Sequence, residues 1–396
     1  MVKISVNTPN SSFVIKGRNG QPIAEVLLNN GLPPLSFVIL ADGNVISDTT
    51  QLRKSVDYQA FQIEGYDIEL VRNLSPTSSS EGFYRNKLLN INSEGDIRAE
   101  EYTLGSEEFC NYIEQTLVET LENFDLITPN ESVVIGLSGG VDSTALLTGL
   151  CNIKHKLPPF ELIAVTIKEP WTEDAERAMN TAKTVAKEYD VAHHVIDSKK
   201  IRDRYNLIEP VSDSIQRVSE SNFASETVAI TDQIITRELE AVAKAQSASN
   251  ILLAAHKADV VANHIDPLVG SRSSSFPRTK FGEFTHSYPS IFLSKKELSI
   301  YLQEAGEVTI KQQFREGWKA QPDDENLIYY ISEMIQWYWP GIEYWIVGSG
   351  TEDDAKSKEF SYCKICGKLK EREVLSDNVE RCKVCSIFSK LGLRSS

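Results

Sequence analysis

The 396-residue sequence contains no run of eighteen apolar residues, and so nothing that could cross a bilayer as a helix. Its first residues, Met1-Val2-Lys3-Ile4-Ser5-Val6, lack the basic, apolar and small-residue succession of a secretory signal. They alternate as a strand does, so a cytoplasmic protein with no membrane partner is expected. Positive charge is also short. Against 56 Asp and Glu stand 41 Lys and Arg, a net charge of −15, which excludes a surface that clings to nucleic acid over its whole extent. The deficit is uneven: residues 356–396 carry ten Lys/Arg against five Asp/Glu, net +5, which leaves −20 on residues 1–355. Cysteine is scarce, at six, and none lies between Cys151 and Cys363. Four of the six form Cys363-x-x-Cys366 and Cys382-x-x-Cys385 within the basic tail. In a chain expected to stay in a reducing compartment, such pairs point to metal rather than to disulfides. An apolar fraction of 41% over this length supports two or three domains, each with its own core.

The first seventy or so residues are β-rich. Strand patterns at Lys3 to Val6 and Phe13 to Lys16 precede a short helix from Pro22 that Gly31 stops, and the apolar run Phe37-Val38-Ile39-Leu40 leads into the turn signal Asp42-Gly43. A last strand is expected at Tyr66-Asp67-Ile68-Glu69-Leu70-Val71. This layout resembles the β-grasp fold of ubiquitin and the small sulfur-carrier proteins, which implies a β-grasp domain over residues 1–74. Those carriers end in a free Gly-Gly. Here the chain runs into Ser75-Pro76-Thr77-Ser78-Ser79-Ser80, so a docking or structural module is expected rather than a carrier, with a linker over residues 75–105.

Beyond the linker the pattern changes to alternating helices and buried strands. Phe109, Tyr112, Ile113, Leu117, Leu121 and Phe124 recur at helical spacing. Val133-Val134-Ile135-Gly136-Leu137, Leu162 to Ile167, His193 to Ile196 and Ile251 to Ala255 read as strands of a parallel sheet, with helices from Asp174 to Tyr189 and from Thr227 to Ala245 between them. The expected class is α/β, with this core spanning residues 106–355 and a small terminal module over residues 356–396. Between the first strand and the next helix lies Leu137-Ser138-Gly139-Gly140-Val141-Asp142-Ser143. A strand–loop–helix unit converges backbone N–H groups and the positive helix end on one point, an anion site. Gly139 and Gly140 let phosphate approach the backbone, Ser138 and Ser143 add hydroxyls, and Asp142 can hold Mg²⁺. No Gly-Lys-Ser/Thr ending is present, so transfer of a γ-phosphate is not indicated.

Ser138-Gly139-Gly140-Val141-Asp142-Ser143 resembles the SGGxDS loop of the N-type ATP pyrophosphatases, or PP-loop proteins, which include amide synthetases and tRNA thiolation enzymes. The resemblance implies ATP bound at residues 137–143 and split between the α and β phosphates, with an adenylated carbonyl oxygen as product. Leu252-Leu253-Ala254-Ala255-His256-Lys257-Ala258-Asp259 is similar to the GHxxDD strand end of thiouridine and thiocytidine synthetases, with Ala255 for Gly and Val260 for the second Asp. That similarity implies an active-site role for Asp259 and a place for His256 near ATP. Lys168, after the second strand, is the first candidate for a catalytic cation, with Arg237, Lys295 and Lys296 behind it. Many of these synthetases also carry a Cys-x-x-Cys that would fall near Val228 and Thr231; its absence here implies that sulfur comes from a donor or a ubiquitin-like carrier protein. Cys151 is expected to be a small core residue.

The two Cys-x-x-Cys pairs are separated by fifteen residues, and Gly367 follows the first as in a zinc knuckle. Cys363, Cys366, Cys382 and Cys385 are therefore candidate Zn²⁺ ligands in a zinc ribbon. Ribbons at the chain ends of related thiolation enzymes imply contact with tRNA, and the basic tail suits it. Leu327 to Trp339 is helical in period and rich in aromatics, suited to core packing or to a homodimer contact. The leading expectation is an adenylating sulfurtransferase acting on a tRNA base. An amide synthetase, and a non-catalytic interaction protein regulated by nucleotide, stand as alternatives.

Overall fold

The computed structural model describes residues 1–9, 11–63, 89–91, 97–99, 104–168, 175–265, 276–308, 323–349, 360–371 and 381–395. In chain order the elements begin with strands β1 (Val2–Asn7) and β2 (Ser12–Gly17), helix α1 (Ile23–Leu28) and strands β3 (Phe37–Ala41), β4 (Asn44–Ile46) and β5 (Tyr58–Gln62). A two-stranded pair β6 (Leu89–Ile91) and β7 (Ile97–Ala99) and helix α2 (Ser106–Asn123) follow. Next come β8 (Ser132–Gly136), α3 (Val141–Ile153), β9 (Glu161–Ile167), α4 (Ala175–Glu188), β10 (Ala192–Ile196), α5 (Ser198–Tyr205), α6 (Val211–Ser219), α7 (Thr227–Ala245) and β11 (Asn250–Leu252). The remainder comprises α8 (Lys257–Ile265), β12 (Arg278–Phe281), β13 (Phe284–Ser287), α9 (Lys295–Glu304), α10 (Asp323–Tyr338), α11 (Ile342–Ser349), β14 (Phe360–Tyr362), β15 (Leu369–Glu371) and α12 (Lys383–Lys390). These elements form two compact units, one of residues 1–120, 255–276 and 290–350, the other of residues 121–254, 277–289 and 351–396.

The first unit holds a five-stranded mixed sheet in the order β2-β1-β5-β3-β4. β1 is antiparallel to β2 and parallel to β5, while β3 is antiparallel to β5 and β4. Asp42 (φ 49°) and Gly43 (φ 86°) form the two-residue turn between β3 and β4, whose positive dihedrals match the twist of the hairpin. Ile23, Val26 and Leu27 of α1 are buried with Ile4, Val6, Phe37 and Ile39 of the sheet. This is the expected β-grasp layout, with one difference. The strand expected at residues 66–71 lies outside the described residues, and β5 is the element between β1 and β3. Its Gln59 and Gln62 obscure it in a hydrophobicity reading, yet Gln62 is buried. Tyr330 of α10 joins the same core, with Tyr329, Ile331 and Met334 packed against it, so the aromatic helix buries part of itself here. Just past its end, Trp339 is 58% exposed.

The second unit contains a six-stranded sheet in the order β10-β9-β8-β11-β13-β12. The first five strands of that order are parallel, and β12 closes the edge as an antiparallel hairpin with β13. Val133, Val134, Ile135, Leu162, Ile163, Ala164 and Val165 are all buried, which is why these strands read as continuous apolar runs. From β8 the chain moves to β9 and β10 on one side and then to β11 on the other. The strand order reverses at β8, the place where open α/β sheets bind ligands. The helices α5 and α6 and the β12–β13 hairpin were not foreseen. Among the described residues no helix is long and apolar enough to cross a membrane.

Candidate active site

The Ser138–Ser143 loop leaves the sheet at the carboxyl end of β8 and enters α3, the strand–loop–helix arrangement expected of it. Gly139 has φ 77°, and a Cβ there would overlap the carbonyl oxygen of Ala178 on α4. Glycine at this position is therefore required by the close approach of α4 as well as by the dihedral. The Ser138 N–H donates to Ser143 Oγ at 3.1 Å, the two hydroxyls lie 2.9 Å apart, and the Gly140 N–H donates to Ser138 Oγ at 3.2 Å. Gly140 is the N-cap of α3 and supplies no side-chain cap, which leaves the first-turn amides of the helix to an anion. Asp142 lies in that same first turn.

The base of the loop is held by residues that hydrophobic patterning missed. Leu137 N–H donates to Val165 O at 2.8 Å, and Thr166 Oγ1, fully buried on β9, donates to Leu137 O at 2.6 Å. His193 Nε2 on β10 lies 2.7 Å from the same Thr166 hydroxyl. A hydroxyl inside the apolar run Leu162 to Ile167 was the available signal. Lys168 sits just past β9, where its backbone N–H bonds Ile196 O, and its Nζ pairs with Glu176 Oε2 at 2.6 Å. That hydrogen bond and charge hold the Glu176 carboxyl below its ordinary value.

His256 and Asp259 belong to the other unit and open α8. Asp259 Oδ2 accepts the His256 backbone N–H at 2.8 Å, the reach-back half of a capping box, and Oδ1 accepts Tyr329 Oη at 2.8 Å. His256 Nε2 lies 3.5 Å from Oδ2. The carboxylate is thus oriented by two residues, His256 through its N–H and ring and Tyr329 through its hydroxyl; the sequence placed His256 near ATP and did not point to Tyr329. Lys257 between His256 and Asp259 is half-buried, with Nζ 3.6 Å from Glu343 Oε1 and 3.8 Å from Glu297 Oε2. Two of the three secondary cations expected near phosphate have structural partners: Arg237 Nε donates to Cys366 O at 2.8 Å, and Lys296 Nζ pairs with Asp48 at 3.0 Å.

Cys363, Cys366, Cys382 and Cys385 converge, each buried, with their Sγ atoms within 4.8 Å of one another. The β14–β15 hairpin carries the first pair, with Gly367 N–H donating to Cys363 O at 2.9 Å, and Cys382 caps α12, which contains Cys385. Hydrogen bonds from the three neighbouring thiols pull Cys363 below the ordinary thiol value. Such a set can bind a metal ion as thiolates. The cluster is continuous with the core of the parallel sheet through Phe388, Ile387, Tyr205 and Val384.

The PP-loop domain family matches residues 110–265. Over 192 residues the chain is 27% identical to the tRNA-cytidine(32) 2-sulfurtransferase of Xylella fastidiosa (strain 9a5c), an alignment covering 46% of this chain and 58% of that protein. The enzyme of the same description from Neisseria gonorrhoeae (strain NCCP11945) is 23% identical over 190 residues, 47% of this chain and 54% of that one. The chain therefore spans little more than half the length of these curated relatives. In fold it is similar to the U34-tRNA thiolase NcsA from Methanococcus maripaludis, solved with its 4Fe–4S cluster, at a TM-score of 0.54 and 19% identity over 76% of this chain and 94% of that one. The loop at the reversal of strand order lies within residues 110–265, the stretch that the PP-loop domain family matches.

Proposed function

We propose that the protein is an ATP-dependent sulfurtransferase that adenylates a carbonyl oxygen of a tRNA base and replaces it with sulfur. The observation that carries this reading is the Ser138–Ser143 loop at the strand reversal of a PP-loop domain whose curated relatives are described as tRNA 2-sulfurtransferases. The first-turn amides of α3 and the Ser138 hydroxyl cradle the pyrophosphate of ATP, with Ser143 bracing the loop behind them, Asp142 would hold its Mg²⁺, and Lys168 balances charge at the neighbouring strand end. The base oxygen attacks the α-phosphorus, the bond to the β-phosphate oxygen breaks, and pyrophosphate leaves. A sulfur nucleophile then adds to the activated carbon, and AMP departs with the original oxygen. Asp259, oriented by Tyr329, is the carboxylate offered to this step, and His256 sits beside it. No cysteine lies between Cys151 and Cys363, so the nucleophilic sulfur arrives on a separate donor or carrier protein.

The four cysteines suit Zn²⁺ in this reading. A tetrahedral ion with bonds of about 2.3 Å places its sulfurs about 3.8 Å apart, and Cys366 Sγ and Cys382 Sγ lie 3.7 Å apart. A four-iron cluster needs its thiolates much farther from one another than that. The ion would tie the hairpin to α12 and leaves the chemistry to the loop. Support for tRNA comes from charge. α5 presents Lys199, Lys200 and Arg202, the last segment presents Arg381, Lys383 and Lys390, and the two are joined by the Leu207–Arg394 bridge and the 2.8 Å bond from Arg394 Nε to Tyr205 O. In a chain of net charge −15 this is, among the described residues, a surface suited to phosphates, although Arg202 and Lys383 also pair with Asp203 and Glu226. The domain limits at residues 1–74, 106–355 and 356–396 belong to the same proposal, with the first module as the dock for the sulfur carrier.

Pyrophosphate release tests the reading. With ATP, Mg²⁺ and unmodified tRNA, release is expected to depend on tRNA and to vanish in Asp142→Ala. Formation of ADP and phosphate, or incorporation of ¹⁵N from ammonia into the acceptor, would replace it.

A further inference from the structure

The hydrogen bonds at the base of the loop have a direction, because only one hydrogen is available at each hydroxyl. Leu137 O is a carbonyl and can only accept, so the Thr166 hydroxyl proton points to it across 2.6 Å. The 2.7 Å contact between Thr166 Oγ1 and His193 Nε2 then needs its proton from the ring. His193 must carry hydrogen on Nε2, which leaves Nδ1 as the basic nitrogen of the neutral imidazole. Burial, with Lys183 and His194 adding to it, holds the His193 pKa below its ordinary value and favours that neutral ring.

The chain of bonds continues beyond Leu137. The peptide whose carbonyl Thr166 holds is the one whose N–H, on Ser138, donates to Ser143 Oγ at 3.1 Å. One peptide plane is therefore fixed on one edge by the β9–β10 pair and on the other by α3. Ser143 Oγ, having accepted, has two acceptors in reach of its one proton, Ser138 Oγ at 2.9 Å and Gly140 O at 3.3 Å, and the shorter contact assigns it to Ser138 Oγ. Ser138 Oγ also accepts the Gly140 N–H at 3.2 Å. Both its lone pairs are then engaged, and the Ser138 hydroxyl proton, on an exposed residue, has no internal acceptor in this chain of bonds.

We propose that His193 and Thr166 are positioning residues for the loop, polarising a hydrogen-bond chain from the His193 ring through the Leu137–Ser138 peptide and Ser143 so that Ser138 offers its hydroxyl proton to a phosphate oxygen. Neither residue touches nucleotide in this account. Each sets the direction in which the loop hydroxyls point, and linked bonds of one polarity strengthen one another. The inference rests on the loop being an ATP site, as proposed above.

The test compares variants that keep or remove each donor. Thr166→Ser keeps the hydroxyl and Thr166→Val removes it; the glutamine amide of His193→Gln can reach as Nε2 does, whereas His193→Asn is too short. Thr166→Val and His193→Asn are expected to raise the KM for ATP about tenfold with kcat within twofold, since ground state and transition state lose the same contact. Thr166→Ser and His193→Gln are expected to stay within threefold of the parent. Equal behaviour of Val and Ser, or of Asn and Gln, overturns the inference, as does a loss confined to kcat. A second measurement needs no activity: ¹⁵N chemical shifts of the His193 ring in the intact, nucleotide-free protein are expected to show hydrogen on Nε2. Hydrogen on Nδ1 alone refutes the chain even if the protein turns over ATP. A parent protein that binds no ATP while His193 shows the expected tautomer refutes the nucleotide reading and leaves the brace standing.

Discussion

Replacing Gly139 by alanine adds one methyl group at the point where the loop passes closest to α4. Two costs follow from the structure. At φ 77° an L-residue is disfavoured by about 1–2 kcal/mol. The new Cβ also overlaps the Ala178 carbonyl, which is backbone and cannot rotate away, so α4 or the loop must shift at a further cost of about 1–3 kcal/mol. The sum is roughly 2–5 kcal/mol. Gly43 supplies the control: its φ is 86° and a Cβ there meets nothing within 4 Å, so Gly43→Ala should lose only the first cost, about 1–2 kcal/mol. Urea unfolding of both variants measures the difference, and ATP affinity measured on the folded protein reports whether the loop moved. The expected result is a larger loss of stability for Gly139→Ala, with ATP bound at least tenfold more weakly, against unchanged affinity for Gly43→Ala. If Gly139→Ala matches Gly43→Ala within about 0.5 kcal/mol and binds ATP as the parent does, the argument from close approach is wrong.

Lys168→Ala is expected to leave the urea midpoint unchanged, since its pair with Glu176 is exposed and screened by water, while lowering the rate of pyrophosphate release; unchanged release would remove Lys168 from the site. Tyr329→Phe deletes the donor to Asp259 Oδ1 and is expected to lower stability by about 1–2 kcal/mol, read by urea denaturation; no loss would mean that Asp259 is held by its α8 contacts alone. Cys382→Ser is expected to abolish one equivalent of zinc by elemental analysis and to expose the α12 core to proteolysis, because the cysteines and Phe388 share one cluster. Burial, then the charge of Lys368, pushes the His286 pKa down to about 4. Glu240 Oε1 lies 3.7 Å from His286 Nε2, and burial shifts its carboxyl upward. The unfolded chain then takes up the proton first, so stability contributed by neutral His286 is present above pH about 6.5. It falls as the pH drops through about 4, by about 3 kcal/mol in total; a His286→Gln variant should lose that slope.

Much of this was legible from the chain because the elements announce themselves by burial on both faces. β8 and β9 are uninterrupted apolar runs, α7 begins and ends where its periodicity says, and the Asp42-Gly43 turn follows from two residues that tolerate positive φ. The loop was legible for a different reason: its chemistry needs glycines and hydroxyls in one order. What escaped was whatever depends on packing between distant segments. Tyr329 reaches Asp259 from seventy residues away, and no local pattern separates it from Tyr330, which enters the core of the five-stranded sheet. Arg237 and Lys296 read as phosphate cations because spacing shows charge without showing partners; their partners are the Cys366 carbonyl and Asp48. β5 was missed because a strand at the centre of a small sheet can bury a glutamine that a hydropathy pattern counts as surface.

The oxygen displaced from the base decides the central claim. A tRNA carrying ¹⁸O at the carbonyl of the reacting base, incubated with the protein, ATP, Mg²⁺ and a sulfide source, is expected to give AMP that contains the label, as many equivalents as there are thionucleosides by mass spectrometry. Thionucleoside with unlabelled AMP, or labelled tRNA recovered intact while ATP is cleaved to ADP, would contradict adenylation of the base by this loop.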